Sequence, residues 1–129
     1  MLTEQLISLA IPTLLPTDSG NRALLLMEES HLSQLPMVQN DEYLGLIQET
    51  ALLDWDTPER ALSSADFANY KPAVSGTGHP FDALKLANEQ HLNIVPVLDS
   101  GLKYLGAITR DELLRYVSEN AGIDTPGGI

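Results

Sequence analysis

The chain carries one stretch of sequence twice. With Gly101 omitted, Pro12–Leu53 and Pro72–Leu114 agree at 15 of 42 positions, where composition alone gives about three. The identities run from Pro12/Pro72 to Pro36/Pro96 at an offset of 60, then from Tyr43/Tyr104 to Leu53/Leu114 at an offset of 61. A repeat this short buries too little apolar surface to stand alone, so two copies are expected to pack about a pseudo-twofold axis as one unit. Function is then to be sought in the clefts between them.

A length of 129 residues with 43% hydrophobic and 19% charged side chains fits one globular body. Eighteen acids against seven bases leave a net charge of −11. Such a surface repels nucleic-acid phosphates and anionic lipid headgroups, so neither nucleic acid nor membrane is expected as a partner. Without cysteine there are no disulfides, thiolate zinc sites or cysteine nucleophiles. The start MLTEQLISLA carries Glu4, lacks a basic flank and is too short an apolar run for a signal or membrane span. A cytoplasmic location is expected.

Both copies read in the same order of elements. Thr3–Leu9 looks helical and leads into an extended stretch from Pro12 to Leu15. Ser19 is the expected N-cap of a helix whose face is Ala23, Leu24 and Met27; His79-Pro80 opens its counterpart, with face Phe81, Leu84 and Ala87. Two short apolar runs follow, 35–38 and 43–47 in one copy and 94–98 and 104–108 in the other. Polar turns separate them, which predicts hairpins. A last helix begins near Glu49 and near Arg110. The expected fold is α/β (α+β), two tandem repeats of β-α-β-β-α: residues 1–58, a connector at 59–70, residues 71–119, and a linker or tail at 120–129.

Leu35-Pro36-Met37-Val38 with Leu44-Gly45-Leu46-Ile47, and Val95-Pro96-Val97-Leu98 with Leu105-Gly106-Ala107-Ile108-Thr109, resemble the signature of the CBS domain. Twice in the right order, they resemble a tandem pair of bacterial type, a Bateman module. The resemblance implies regulation rather than catalysis. It implies an adenosine-containing ligand (AMP, ADP, ATP or S-adenosylmethionine) in an inter-repeat cleft, no obligatory cofactor, a homodimer, and an effector protein or further domain that responds. It also implies a ligand signature after the last strand, Gly-x-x-(Thr/Ser)-x-x-Asp. There a helix N-terminus with its hydroxyl receives phosphate, and a carboxylate one turn on accepts the ribose hydroxyls. The second copy nearly keeps it, with Thr109 and, for the aspartate, Glu112. The first departs, with Gln48 and Ala51.

Thr109 and Glu112 also read as a capping box, which needs no ligand. Arg110 is the candidate phosphate contact, its alternative being a solvated surface arginine. Ala73-Val74 and Ile94-Val95-Pro96 are the implied adenine walls, or else ordinary core. His31 and His91 fall at equivalent helix ends, where imidazole complements exposed carbonyls, so no metal site is expected. Trp55, with Leu52, Leu113 and Tyr116, is a candidate for the dimer interface, or alternatively Trp55 packs on the connector. No phosphate loop, metalloprotease motif or nucleophile elbow is present, and no catalytic residue is expected. The tail Ala121–Ile129 reads as a lead into another domain. An interaction module with ligand-free clefts is the competing function.

Overall fold

The computed structural model describes residues 1–120; the expected tail from Ala121 to Ile129 lies outside the described residues. The chain divides into two compact units. One is Ala10–Pro72; the other joins Met1–Leu9 to the chain from Ala73 onward.

In the Ala10–Pro72 unit, helix α1 (Gly20–Ser30) starts at Ser19, whose Oγ accepts the Arg22 N–H at 3.0 Å. This satisfies one of the helix's orphan donors. The helix ends at His31 in the left-handed conformation, φ 57°, with the chain turning back as it does at many helix C-termini. Strands β1 (Gln34–Gln39) and β2 (Glu42–Gln48) pair antiparallel. Their turn puts both Asn40 and Asp41 at positive φ, the geometry that matches strand twist in a two-residue hairpin. Helix α2 (Glu49–Leu53) follows at once. The strand expected around Pro12–Leu15 is reduced to a parallel bridge from Leu14 to Met37. Pro12 and Pro16 flank it and have no N–H to extend the ladder.

This unit closes over Leu14, Ala23, Met27, Leu35, Met37, Ile47, Leu52 and Leu62. Leu62 belongs to the expected connector, which is therefore part of the core rather than a tether. It makes two 3-10 turns, Leu62–Ser64 and Phe67–Asn69. It is then fastened to β2, where the Leu46 N–H donates to the Tyr70 carbonyl at 2.8 Å and the Tyr43 hydroxyl to the Pro72 carbonyl at 2.8 Å.

The other unit repeats the plan. Strands β3 (Val74–Ser75), β4 (Ile94–Leu98) and β5 (Tyr104–Thr109) form a sheet in that order, β3 parallel to β4 and β4 antiparallel to β5. Helix α3 (Pro80–Gln90) is capped by His79, whose Nδ1 accepts the Phe81 N–H at 3.1 Å, with Pro80 in the first turn. Helix α4 (Arg110–Asn120) leaves β5 directly. Gly101, the residue that breaks the internal alignment, lies in the β4–β5 turn. There the Asp99 carboxylate accepts the N–H groups of Gly101 and Lys103 at 2.8 and 2.9 Å. The longer turn is thus held by a side chain where the shorter one relies on backbone geometry.

The two hairpins share a bulge. Their registers slip between Met37 and Val38 and between Val97 and Leu98, and the glycine beside each slip stands at φ 155° (Gly45) or 154° (Gly106). Both glycines let another segment approach. Phe67–Tyr70 passes over Gly45, and Ile7 packs on Gly106, beside the Ser8 N–H bond to the Ala107 carbonyl at 2.9 Å. The segment expected as a helix over Thr3–Leu9 is a 3-10 turn, Thr3–Leu6. It docks on the carboxy-terminal repeat as Phe67–Asn69 docks on the amino-terminal one. Thr3 is fully buried there, and its hydroxyl donates to the Gly78 carbonyl at 2.8 Å.

Tyr104 lies half-buried in this unit, and burial pushes its phenol up to about 12. The folded state thus favours the neutral form. The stabilisation is complete below pH ~10 and lost as pH rises through ~12. Allowing for partial exposure, the loss is on the order of 2 kcal/mol. In an alkaline titration followed by phenolate absorbance and circular dichroism, Tyr104 should ionise late. Tyr104→Phe should reduce the fall in stability between those pH values. A Tyr104 phenolate forming near pH ~10 in the folded protein would contradict this.

Candidate functional site

The sheet of the second unit carries most of the sequence's ligand candidates, spread from one end of its strands to the other. Thr109 is the register partner of Ile94, Ala107 of Pro96, and Val74 of Val97 on the other side. Their side chains do different things. Ile94 and Val95 have no exposed surface, and Pro96 is also buried. These three are core in this structure. Ala73 and Val74 are half-buried and line a hollow of about 320 Å³ with Ser75, Leu98, Asp99 and Leu102.

Thr109 caps α4: its Oγ1 accepts the Glu112 N–H at 3.1 Å. That is half of the expected capping box. The Glu112 carboxylate does not turn back to the cap but pairs with Arg115, one turn on. The hydrogen bond Arg115 donates to Glu112, then the Glu112 charge, raise the Arg115 guanidinium above its ordinary value. An exposed pair one turn apart is worth only ~0.5 kcal/mol, so Glu112 exchanges partners at little cost. The Thr109 hydroxyl proton takes no part in the cap bond.

Arg110 goes elsewhere. Its Nη2 donates to Asn88 Oδ1 of α3 at 2.9 Å, and its backbone N–H to the Asn93 carbonyl at 2.7 Å. It lines a second hollow of about 310 Å³ with Ala87, Asn88, His91, Leu92 and Asn93. Ala73-Val74 and Arg110 therefore belong to separate hollows. Asn88 and Asn93 were not singled out from the sequence. Their signal was the comparison between copies, where Glu28 and Ser33 stand instead.

Three of the four interface candidates are buried in the single chain. Leu52 and Leu113 are at most 1% exposed and Tyr116 is 5% exposed, so they present no surface to a second subunit. Leu52 sits in the first unit's core. Trp55 is half-buried, stacks edge-on against Phe67 with ring centroids 5.1 Å apart, and meets Gly20. It packs on the connector. The apolar residues left outward at the two last helices are their neighbours, Leu53 at 67% and Leu114 at 39% exposure. His31 and His91 are both left-handed helix caps. Among the described residues, no helix is long and apolar enough to cross a membrane.

Known proteins share this arrangement. The fold is similar to a CBS domain pair/ACT domain protein from Thermotoga maritima (TM-score 0.79, 17% identity, covering 94% of this chain and 99% of that one). It is similar to CBSX2 of Arabidopsis thaliana, a structure determined in complex with AMP (TM-score 0.76, 21% identity, 92% and 96% covered). A third is the CBS domain of a bacterial CNNM/CorC family Mg2+ transporter in complex with ATP (TM-score 0.70, 16% identity, 92% and 87% covered). The sequence matches the CBS domain twice, over residues 4–57 and 65–119. With nearly the whole described chain accounted for by those two matches and by the doubled hairpin-and-helix plan, the chain belongs to the CBS domain family.

Proposed function

We propose that this CBS pair is a regulatory module whose carboxy-terminal repeat takes an adenosine-containing ligand, AMP, ADP, ATP or S-adenosylmethionine, and passes occupancy to an effector. The carrying observation is the asymmetry at the start of the last helices. Thr109 and Glu112 head α4, whereas Gln48 and Ala51 stand at the same places beside α2. In this reading Glu112 leaves Arg115 and accepts both ribose hydroxyls, while the Thr109 hydroxyl donates to the ligand and keeps its cap bond. Ala73 and Val74 offer apolar surface to the base. Arg110, turned onto α3, is left out of the ribose contact. The AMP and ATP held by the two related structures support the ligand class.

The test is thermal unfolding with each of the four ligands on wild type and Glu112→Ala. Ligand at ~100 times its dissociation constant adds about 2.7 kcal/mol, a rise of several degrees. The expected result is a rise with at least one ligand that disappears in Glu112→Ala, whose unliganded midpoint stays near wild type because only an exposed ion pair is lost. No rise with any of the four would overturn the reading. It would leave the second, a ligand-free interaction module, which the outward Leu53 and Leu114 favour. A homodimer formed through those leucines is part of that second reading.

A further inference from the structure

The backbone junction at Arg110 has a counterpart in the other copy with opposite charge. In both, a helix ends in a left-handed histidine, His31 or His91. In both, the first residue of the last helix donates its N–H across to the loop beyond that histidine: Glu49 to Ser33 at 2.9 Å, Arg110 to Asn93 at 2.7 Å. The backbone scaffold is the same. Where the second copy has Asn88 and Arg110, however, the first has Glu28 and Glu49.

This comparison removes the simplest structural reason for Arg110. A cation near the end of α3 would complement that helix's negative end, yet the first copy builds the same junction with two carboxylates. The fold does not need the guanidinium. Among the described residues Arg110 makes no ion pair, in a chain with eighteen acids. Its one side-chain bond is to the neutral Asn88 amide, which fixes the fork and leaves its other N–H donors for a ligand. The 310 Å³ hollow contains no carboxylate among its lining residues, which also include His91 and Asn93. A planar guanidinium held by the Asn88 amide in one small concavity free of carboxylates suits an anion with three or more acceptor oxygens better than a two-oxygen carboxylate. The volume lies at the lower end of the small-molecule range.

We propose that this notch binds the phosphate group of a small phosphorylated molecule, at a site separate from the Thr109–Glu112 ribose contact. The equivalent junction of the first copy, with Glu28 and Glu49, refuses the same anion.

Inorganic phosphate is the probe, titrated at constant ionic strength against chloride and followed by NMR at the side chains of Arg110 and Asn88. Wild type should show saturable shifts confined to the notch. The double variant Asn88→Glu, Arg110→Glu, which installs the first copy's residues, should weaken phosphate binding at least tenfold. The reverse variant, Glu28→Asn with Glu49→Arg, should add a second saturable site, so the proposal is decided even where the first variant fails to fold. Shifts that never saturate, acetate acting as well as phosphate, or undiminished binding in the folded Glu variant would each overturn it. Glu112→Ala should leave phosphate binding unchanged, which separates this site from the nucleotide reading.

Discussion

Gly106→Ala should destabilise the protein by about 2–4 kcal/mol, through backbone strain at a φ that L-residues avoid and through a steric clash. At φ 154° the added Cβ would overlap Ile7 Cγ2. The Ile7 side chain is β-branched and stiff at χ1, and the neighbouring Ser8 N–H bond to Ala107 holds its backbone in place. Relief therefore requires lifting the amino-terminal segment off β5. Urea denaturation measures the loss, and a double variant with Ile7→Ala separates its two causes. It should recover the steric part and keep the conformational part. A Gly106→Ala protein as stable as wild type would contradict both the strained φ at Gly106 and the packing of Ile7 on this strand. Gly45→Ala should also destabilise, because its Cβ would stand 3.1–3.2 Å from backbone atoms of Phe67, Ala68 and Tyr70.

Leu14→Ala should cost about 2–5 kcal/mol, the range for emptying a closed aliphatic site. Leu14 has no exposed surface and lies in the first unit's core. Its backbone is held from both sides, its N–H donating to Pro36 and its carbonyl accepting from Val38, both at 2.9 Å. The surrounding chain therefore has little freedom to collapse into the space. Leu15, the next residue, is 47% exposed, and Leu15→Ala should change stability by no more than ~0.5 kcal/mol. Equal losses at the two positions, measured by urea midpoints, would contradict the assigned strand phase.

The leucine pair also shows where sequence reasoning stopped. A last helix was expected from near Glu49 and from near Arg110, and both helices are present, each carrying a repeated leucine pair, Leu52-Leu53 and Leu113-Leu114. Which leucine of each pair faces inward depends on how the helix is rotated against its sheet, and a short helix leaves that phase poorly defined. Leu52 and Leu113 went in; Leu53 and Leu114 stayed out. At the candidate site, Thr109 as an N-cap was legible because capping is settled within one turn. The partners of Glu112 and Arg110 were not. Each long side chain had several polar neighbours within reach and chose among alternatives that differ by about 1 kcal/mol or less.

By itself the sequence determined the duplication, the order of elements, the Ser19 and Pro80 helix starts, and the two hairpins. All of these rest on interactions a few residues apart, or on a pattern the chain states twice. The glycine bulges within those hairpins emerged only in the structure. Only the tertiary structure decided that Met1–Leu9 joins the second repeat, that 59–72 completes the first, and that Ile94, Val95 and Pro96 are core. Those outcomes depend on shape-matching between segments far apart in the chain. The Ile7 side chain over Gly106 and the Phe67–Tyr70 backbone over Gly45 fit their bulges, and no local propensity encodes which segment will fill which gap.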